Sequence, residues 1–162
     1  MSYHVPPGPF ATFYSSQTQA VLNRENAQAI TYNITGVIKG VSLASGSRIT
    51  LPQPGNYALS FSAIGHNSGS SNTRWLNIFL KRNGLTVDNS STIVTVSKQV
   101  PTTLAATFDL PVASPGEYYE LFLAGEQTDC EILATPAQAA VPGVSPAMPA
   151  CPSIVVAVWQ IN

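Results

Sequence analysis

Charged side chains are scarce in this chain. Seven Lys and Arg with eight Asp and Glu make up 9% of its 162 residues and leave a net charge of -1, where an ordinary soluble domain carries roughly 25%. The few charges are dispersed, so no basic stripe exists to neutralise a phosphate backbone, and no nucleic-acid partner is expected. Histidine is scarcer still: His4 and His66 have no Cys, Asp or second His beside them at metal-ligand spacing. That argues against a metal centre and against His-based catalysis. Glu117 and Glu120 are three apart, which in a strand puts them on opposite faces, so they make no glycosidase-like pair. Neither a GxSxG elbow nor a phosphate-cradling glycine motif occurs. The expectation is a non-enzyme without a cofactor. Cys130 and Cys151 lie outside any CxxC spacing, and both a disulfide and two buried free thiols stay open. The longest apolar run, SIVVAVW, is far short of a membrane span. The opening MSYHVPPGPF has neither a basic nor an apolar signal region, so no membrane or secretory role is expected. Helical periodicity with caps is missing throughout.

What the chain has is alternation and turns. NYALSFSAI (56–64) sets Tyr57, Leu59, Phe61 and Ala63 on one face against Ala58, Ser60, Ser62 and Ile64 on the other, the period of a strand. RWLNIFLKR (74–82) repeats the pattern before Asn83-Gly84, a strong two-residue hairpin signal. FATFYS, QAITYNI, GVSL with RITL, TIVTV, TLAATFDL, EYYELFLAG and CEILAT are further strand candidates. SIVVAVWQI (153–161) closes the chain and is too apolar to be left at a sheet edge. About nine to eleven strands at this spacing make an all-β, antiparallel two-sheet sandwich of the jelly-roll or immunoglobulin kind. One domain accounts for the length.

Two segments fall outside this pattern. Residues 1–9 hold Pro6, Pro7 and Pro9 around Gly8, which bars a helix or central strand and predicts an extended arm. Residues 135–152, TPAQAAVPGVSPAMPACP, contain five prolines and no charge and read as an irregular loop. His66 falls in GHNSGSSN (65–72), which reads as a polar loop. Trp75, Tyr118, Tyr119 and Trp159 are ring candidates for a sugar-binding face, although alternation in strands more often sends such rings into a core or a subunit interface.

In order, RITLPQPGNYALSFSA, WLNIFLKRNGLTVDNS, LAATFDLPVASPGEYYELFLAG and PSIVVAVWQIN resemble a domain found in tailed-bacteriophage virion proteins. That domain is similar to the trimeric jelly roll of tumour necrosis factor and of the complement head. The likeness runs from about Phe10 to Asn162, with Pro115-Gly116-Glu117-Tyr118 in place of the usual aspartate form. It implies a homotrimer in which one sheet of each subunit meets its neighbours. Tyr118 and Phe122 on one face of EYYELFLAG, with Tyr57 and Phe61, are the trimer-interface candidates, and Tyr119, Leu121 and Leu123 are assigned to the core. The functional expectation is a virion structural protein assembled in the host cytoplasm, a capsid decoration or cement protein on the major capsid protein. Its docking arm would comprise Tyr3, His4, Val5, Pro6, Pro7, Pro9 and Phe10. The alternative is the knob of a head or tail fibre that binds a receptor or a host surface glycan.

Overall fold

A computed structural model describes residues 8–161; Tyr3, His4, Val5, Pro6 and Pro7 of the expected arm lie outside them. In chain order the strands are β1 (Phe10–Ser15), β2 (Gln19–Ala20), β3 (Gln28–Ala29), β4 (Ile34–Lys39), β5 (Ser42–Ala44), β6 (Arg48–Thr50) and β7 (Gly55–Asn67). There follow β8 (Thr73–Arg82), β9 (Leu85–Thr86), β10 (Thr92–Ser97), β11 (Thr102–Val112), β12 (Tyr118–Gly125), β13 (Cys130–Ile132) and β14 (Ile154–Gln160). No helix occurs among the described residues.

These strands form two antiparallel sheets. The first runs β11-β7-β14-β1-β4, with β13 paired to the far end of β7 and β2 to β13. The second runs β10-β8-β12-β6-β5, with β3 also on β12 and β9 on β8. Period-two alternation lets each sheet present one apolar face, and the two faces close on each other. Phe13, Tyr57, Leu59, Phe61, Val156 and Val158 of the first sheet meet Ile49, Leu76, Ile78, Leu80, Tyr119, Leu121 and Leu123 of the second. The closing strand is central, between β7 and β1, as its apolar character requires. Asn83 and Gly84 carry φ of 49° and 83° and join β8 to β9 with Arg82 opposite Leu85. Positive φ at both positions is what the tight hairpin demands.

Several expectations need correction. Tyr57 and Phe61 are 0% and 2% exposed, because the odd-numbered face of β7 is the one closed by the second sheet; neither ring reaches an interface. Pro9 and Phe10 belong to the body and not to a free arm: the Pro9 carbonyl accepts from Gln160 N–H (2.9 Å) and Phe10 sits opposite Lys39. The strand expected over 28–34 is broken. Tyr32 turns into the core, donating its N–H to Gly46 O at 2.8 Å, and Asn33 Oδ1 accepts from Ser16 N–H, so a new strand begins at Ile34. Strand β7 continues through Gly65, His66 and Asn67, shortening the predicted polar loop.

The proline-rich segment 135–152 is not irregular. It is an antiparallel hairpin whose legs pair at every third residue: Thr135 with Cys151, Gln138 with Met148, and Val141 with Ser145. Each pair exchanges two backbone hydrogen bonds of 2.8–3.0 Å. Pro136, Pro142, Pro146, Pro149 and Pro152 each follow a paired residue directly. A repeat of three is that of polyproline II, and proline, lacking an N–H, is admitted where no pair is made.

Candidate functional site

The outward faces of the two sheets are the surfaces available for recognition, and they differ in kind. On the first sheet, side chains that alternate with the core residues of β7 are Ala58, Ser60, Ser62 and Ile64. Across the ladder, Ser60 stands between Thr107 and Ala157, and Ser62 between Ala105 and Val155. Thr12 of β1 extends the first row. The middle of this face is therefore small, flat and without charge; Thr107 Oγ1 donates to Ser60 Oγ at 3.2 Å. Charge is confined to its margins, at Asp109, Lys39 and the His66–Glu131 pair. At one margin, β4 leaves Val37 64% exposed, and Ile38 is exposed beside it.

The second sheet presents rings under cations. Phe79 and Phe122 are directly opposed, with ring centroids 5.9 Å apart. Lys81 Nζ lies 4.1 Å from the Phe122 centroid, and the Arg48 guanidinium lies 4.8 Å from that of Tyr118. Tyr118 and Phe122 thus point outward, while Tyr119, Leu121 and Leu123 enter the core. Glu120, between the two rings, is nearly buried, accepting from Ser47 Oγ at 2.6 Å with Arg48 Nε 3.8 Å away. Farther along, Trp75 is 42% exposed beside Ile93 and Asn77. Trp159 lies on the other sheet, so the four candidate rings do not converge.

The remaining ionic groups are local pairs. Glu117 accepts from Arg82 (2.6 and 2.7 Å) and from the amides of Ala113 and Ser114 (2.9 and 2.8 Å), clasping the turn before β12 to β8. Burial pushes the Glu117 carboxyl up, but the Arg82 guanidinium and the two amides outweigh it and hold the pKa below the usual range. This pair lies in a cleft of about 560 Å³ at one mouth of the sandwich, lined also by Leu85, Asp109, Pro111 and Tyr119. Arg74 binds Asp129 (3.1 Å) and approaches Glu126 (3.7 Å). His66, expected in a loop, stands in β7 opposite Glu131 with Nδ1 2.7 Å from Oε1. No signal in the chain joins them, since the two are 65 residues apart; only pairing of β13 with β7 does. No group of three or more His, Cys, Asp or Glu is gathered for a metal among the described residues. Cys130 is buried and Cys151 exposed, both as free thiols, so only one of the two is buried. Burial raises the Cys130 thiol pKa.

No protein-family model and no curated protein sequence matches the chain. Its fold, however, is similar to that of the globular domain of zebrafish complement 1qA protein, with a TM-score of 0.55 at 16% identity over 96% of this chain and 98% of that one. It is also similar to murine APRIL, with a TM-score of 0.55 at 8% identity over 95% of this chain and 99% of the other. At such identities the likeness carries the fold alone, an all-β jelly roll of two antiparallel sheets.

Proposed function

We propose that the protein is a homotrimeric structural protein of a tailed-phage virion, a decoration protein seated on the outer surface of the major capsid protein shell. One observation carries the trimer: the middle of the face formed by β7, β11 and β14, which is uncharged and built of small side chains between Asp109 and Trp159 at one end and the His66–Glu131 pair at the other, with the apolar edge of β4 at its margin. A face without charge costs less to desolvate than a charged one, provided its hydroxyls find partners, and a different apolar edge on the same sheet suits a cyclic, heterologous contact. The second sheet suits the axis less well, because Tyr118 and Phe122 are already covered by Arg48 and Lys81, whose charges would have to be buried with them. Trimer interface is therefore assigned to Ser60, Ser62, Val155 and Ala157, in place of the two rings. The virion assignment rests on the four sequence segments that resemble phage proteins and on the low charge, which suits dense packing among neighbours.

Light scattering on the purified protein tests the trimer: three times 17.1 kDa is expected, and a stable monomer would overturn it. Adding the protein to undecorated heads tests the location. Decoration should raise the temperature at which heads release DNA without affecting adsorption to cells. A second reading, a receptor- or glycan-binding knob, is favoured by the exposure of Trp75, and it predicts that free protein blocks phage adsorption.

A further inference from the structure

The proline-rich hairpin 135–152 stands apart from the two sheet faces. Its legs leave the first sheet between β13 and β14, and every residue from Pro136 to Cys151 is at least partly solvent-exposed, with Val144 at its turn 81% exposed. From Thr135 to Val141 each leg spans six residues, which at ~3.1 Å per residue reaches ~19 Å. That distance is enough to cross about four strands at ~4.8 Å spacing. Such a projection costs order unless something holds its far end, and proline reduces the cost of docking it because the backbone is already restricted.

We infer that this hairpin is a clasp that lies on the neighbouring copy of the same chain. The inference rests on the trimeric reading above. Three observations select a second copy as the occupant. First, the base of the hairpin and the outward side chains Tyr14 and Ile34 enclose an apolar groove of about 440 Å³. Tyr14 and Ile34 are paired residues on the same outward face as Thr12, so hairpin, groove and uncharged face form one continuous surface. Second, the hairpin has no charge in 18 residues, which matches that uncharged face and offers nothing to steer or orient a charged foreign surface. Third, the base of the hairpin lies against Ile34, at the start of the same edge strand whose Val37 and Ile38 are exposed, and an edge strand is what a cyclic contact sends onto the next subunit's flat face. The chemistry is apolar seating of Val141, Val144 and Met148, exposed in the single chain.

The test uses the full chain and a variant in which residues 139–147 are replaced by Asn-Gly, so that the Gln138–Met148 pair closes on a two-residue turn. Circular dichroism confirms that the variant folds, and sedimentation at serial dilution measures association. A tenfold or greater weakening of the trimer is expected. Val144→Asp, at a position with nothing to disturb in the isolated fold, should weaken it in the same direction. A photo-crosslinking residue at position 144 should yield covalent dimers of the chain on a denaturing gel. Undiminished association of both variants, or crosslinks formed only within one chain or only to a capsid protein, would overturn the clasp and leave the trimer standing. A monomeric full-length chain would instead remove the trimer on which the clasp depends.

Discussion

The two outward faces of this sandwich are made from strands of equal regularity, yet they have opposite surfaces. Along β7 and β14 the outward positions are Ala58, Ser60, Ser62, Ile64, Val155, Ala157 and, at one end, Trp159, while along β8 and β12 they include Trp75, Asn77, Phe79, Lys81, Tyr118, Glu120 and Phe122. Apolar area alone would rank the ring-bearing face as the sticky one. Its rings, however, are spent on partners within the chain: Phe122 on Phe79 and Lys81, Tyr118 on Arg48. The plainer face has no such internal partners in its middle and no charge to desolvate. The proposed interface is therefore placed by what a face must give up, as much as by what it displays.

The sharpest way to break the comparison is within one strand. Phe61→Ala, inward on β7, should cost about 3–5 kcal/mol of stability by opening a cavity, and a denaturant melt would show it. Its neighbour Ser62→Arg, outward, should leave that melt of the subunit nearly unchanged. It should weaken the proposed trimer by about 3 kcal/mol or more, the scale of an unpaired buried charge, or roughly a hundredfold. Sedimentation reads this directly. If Phe122→Ala dissociated the trimer and Ser62→Arg did not, the two faces would have to exchange roles.

A smaller effect belongs to the mouth of the sandwich. Glu117→Gln should cost about 1.5–3 kcal/mol at neutral pH, the range for hydrogen bonds to a charged group. Because the folded pKa of Glu117 is depressed, its contribution is complete above the unfolded carboxyl pKa and is lost as pH falls through the folded one. Urea midpoints of the two proteins should therefore converge in acid; a gap that persists below the carboxylate range would contradict the pairing. Smallest is Lys81→Met on the ring-bearing face, expected to change stability by about 0.5–1 kcal/mol and the solution mass not at all.

Much of the fold is legible in the sequence. Alternation in 56–64 and 74–82, the Asn83-Gly84 turn and the apolar last strand each translate one local rule into one element, and each is present. The grouping of Tyr118 with Phe122, apart from Tyr119, Leu121 and Leu123, followed from the same arithmetic, but not which group points outward. The candidate site was less legible. Tyr57 and Phe61 were offered as interface residues although their own alternation put them with Leu59, a core residue, and the ladder keeps that grouping. The hairpin 135–152 reads as an irregular loop in sequence because its period is three, not the two of a strand, and its pairing partner lies on its own returning leg. Joining His66 to Glu131 needed a strand pairing that neither residue announces.

The sequence by itself determined the class of this protein, all-β with little charge, because alternation, turn chemistry and composition are local properties. Only the tertiary structure decided which face of each strand is closed, which rings are covered by cations, and that a proline-rich stretch stands out as a paired hairpin. Those outcomes depend on contacts between residues far apart in the chain, and their energies are set by what the folded body brings alongside.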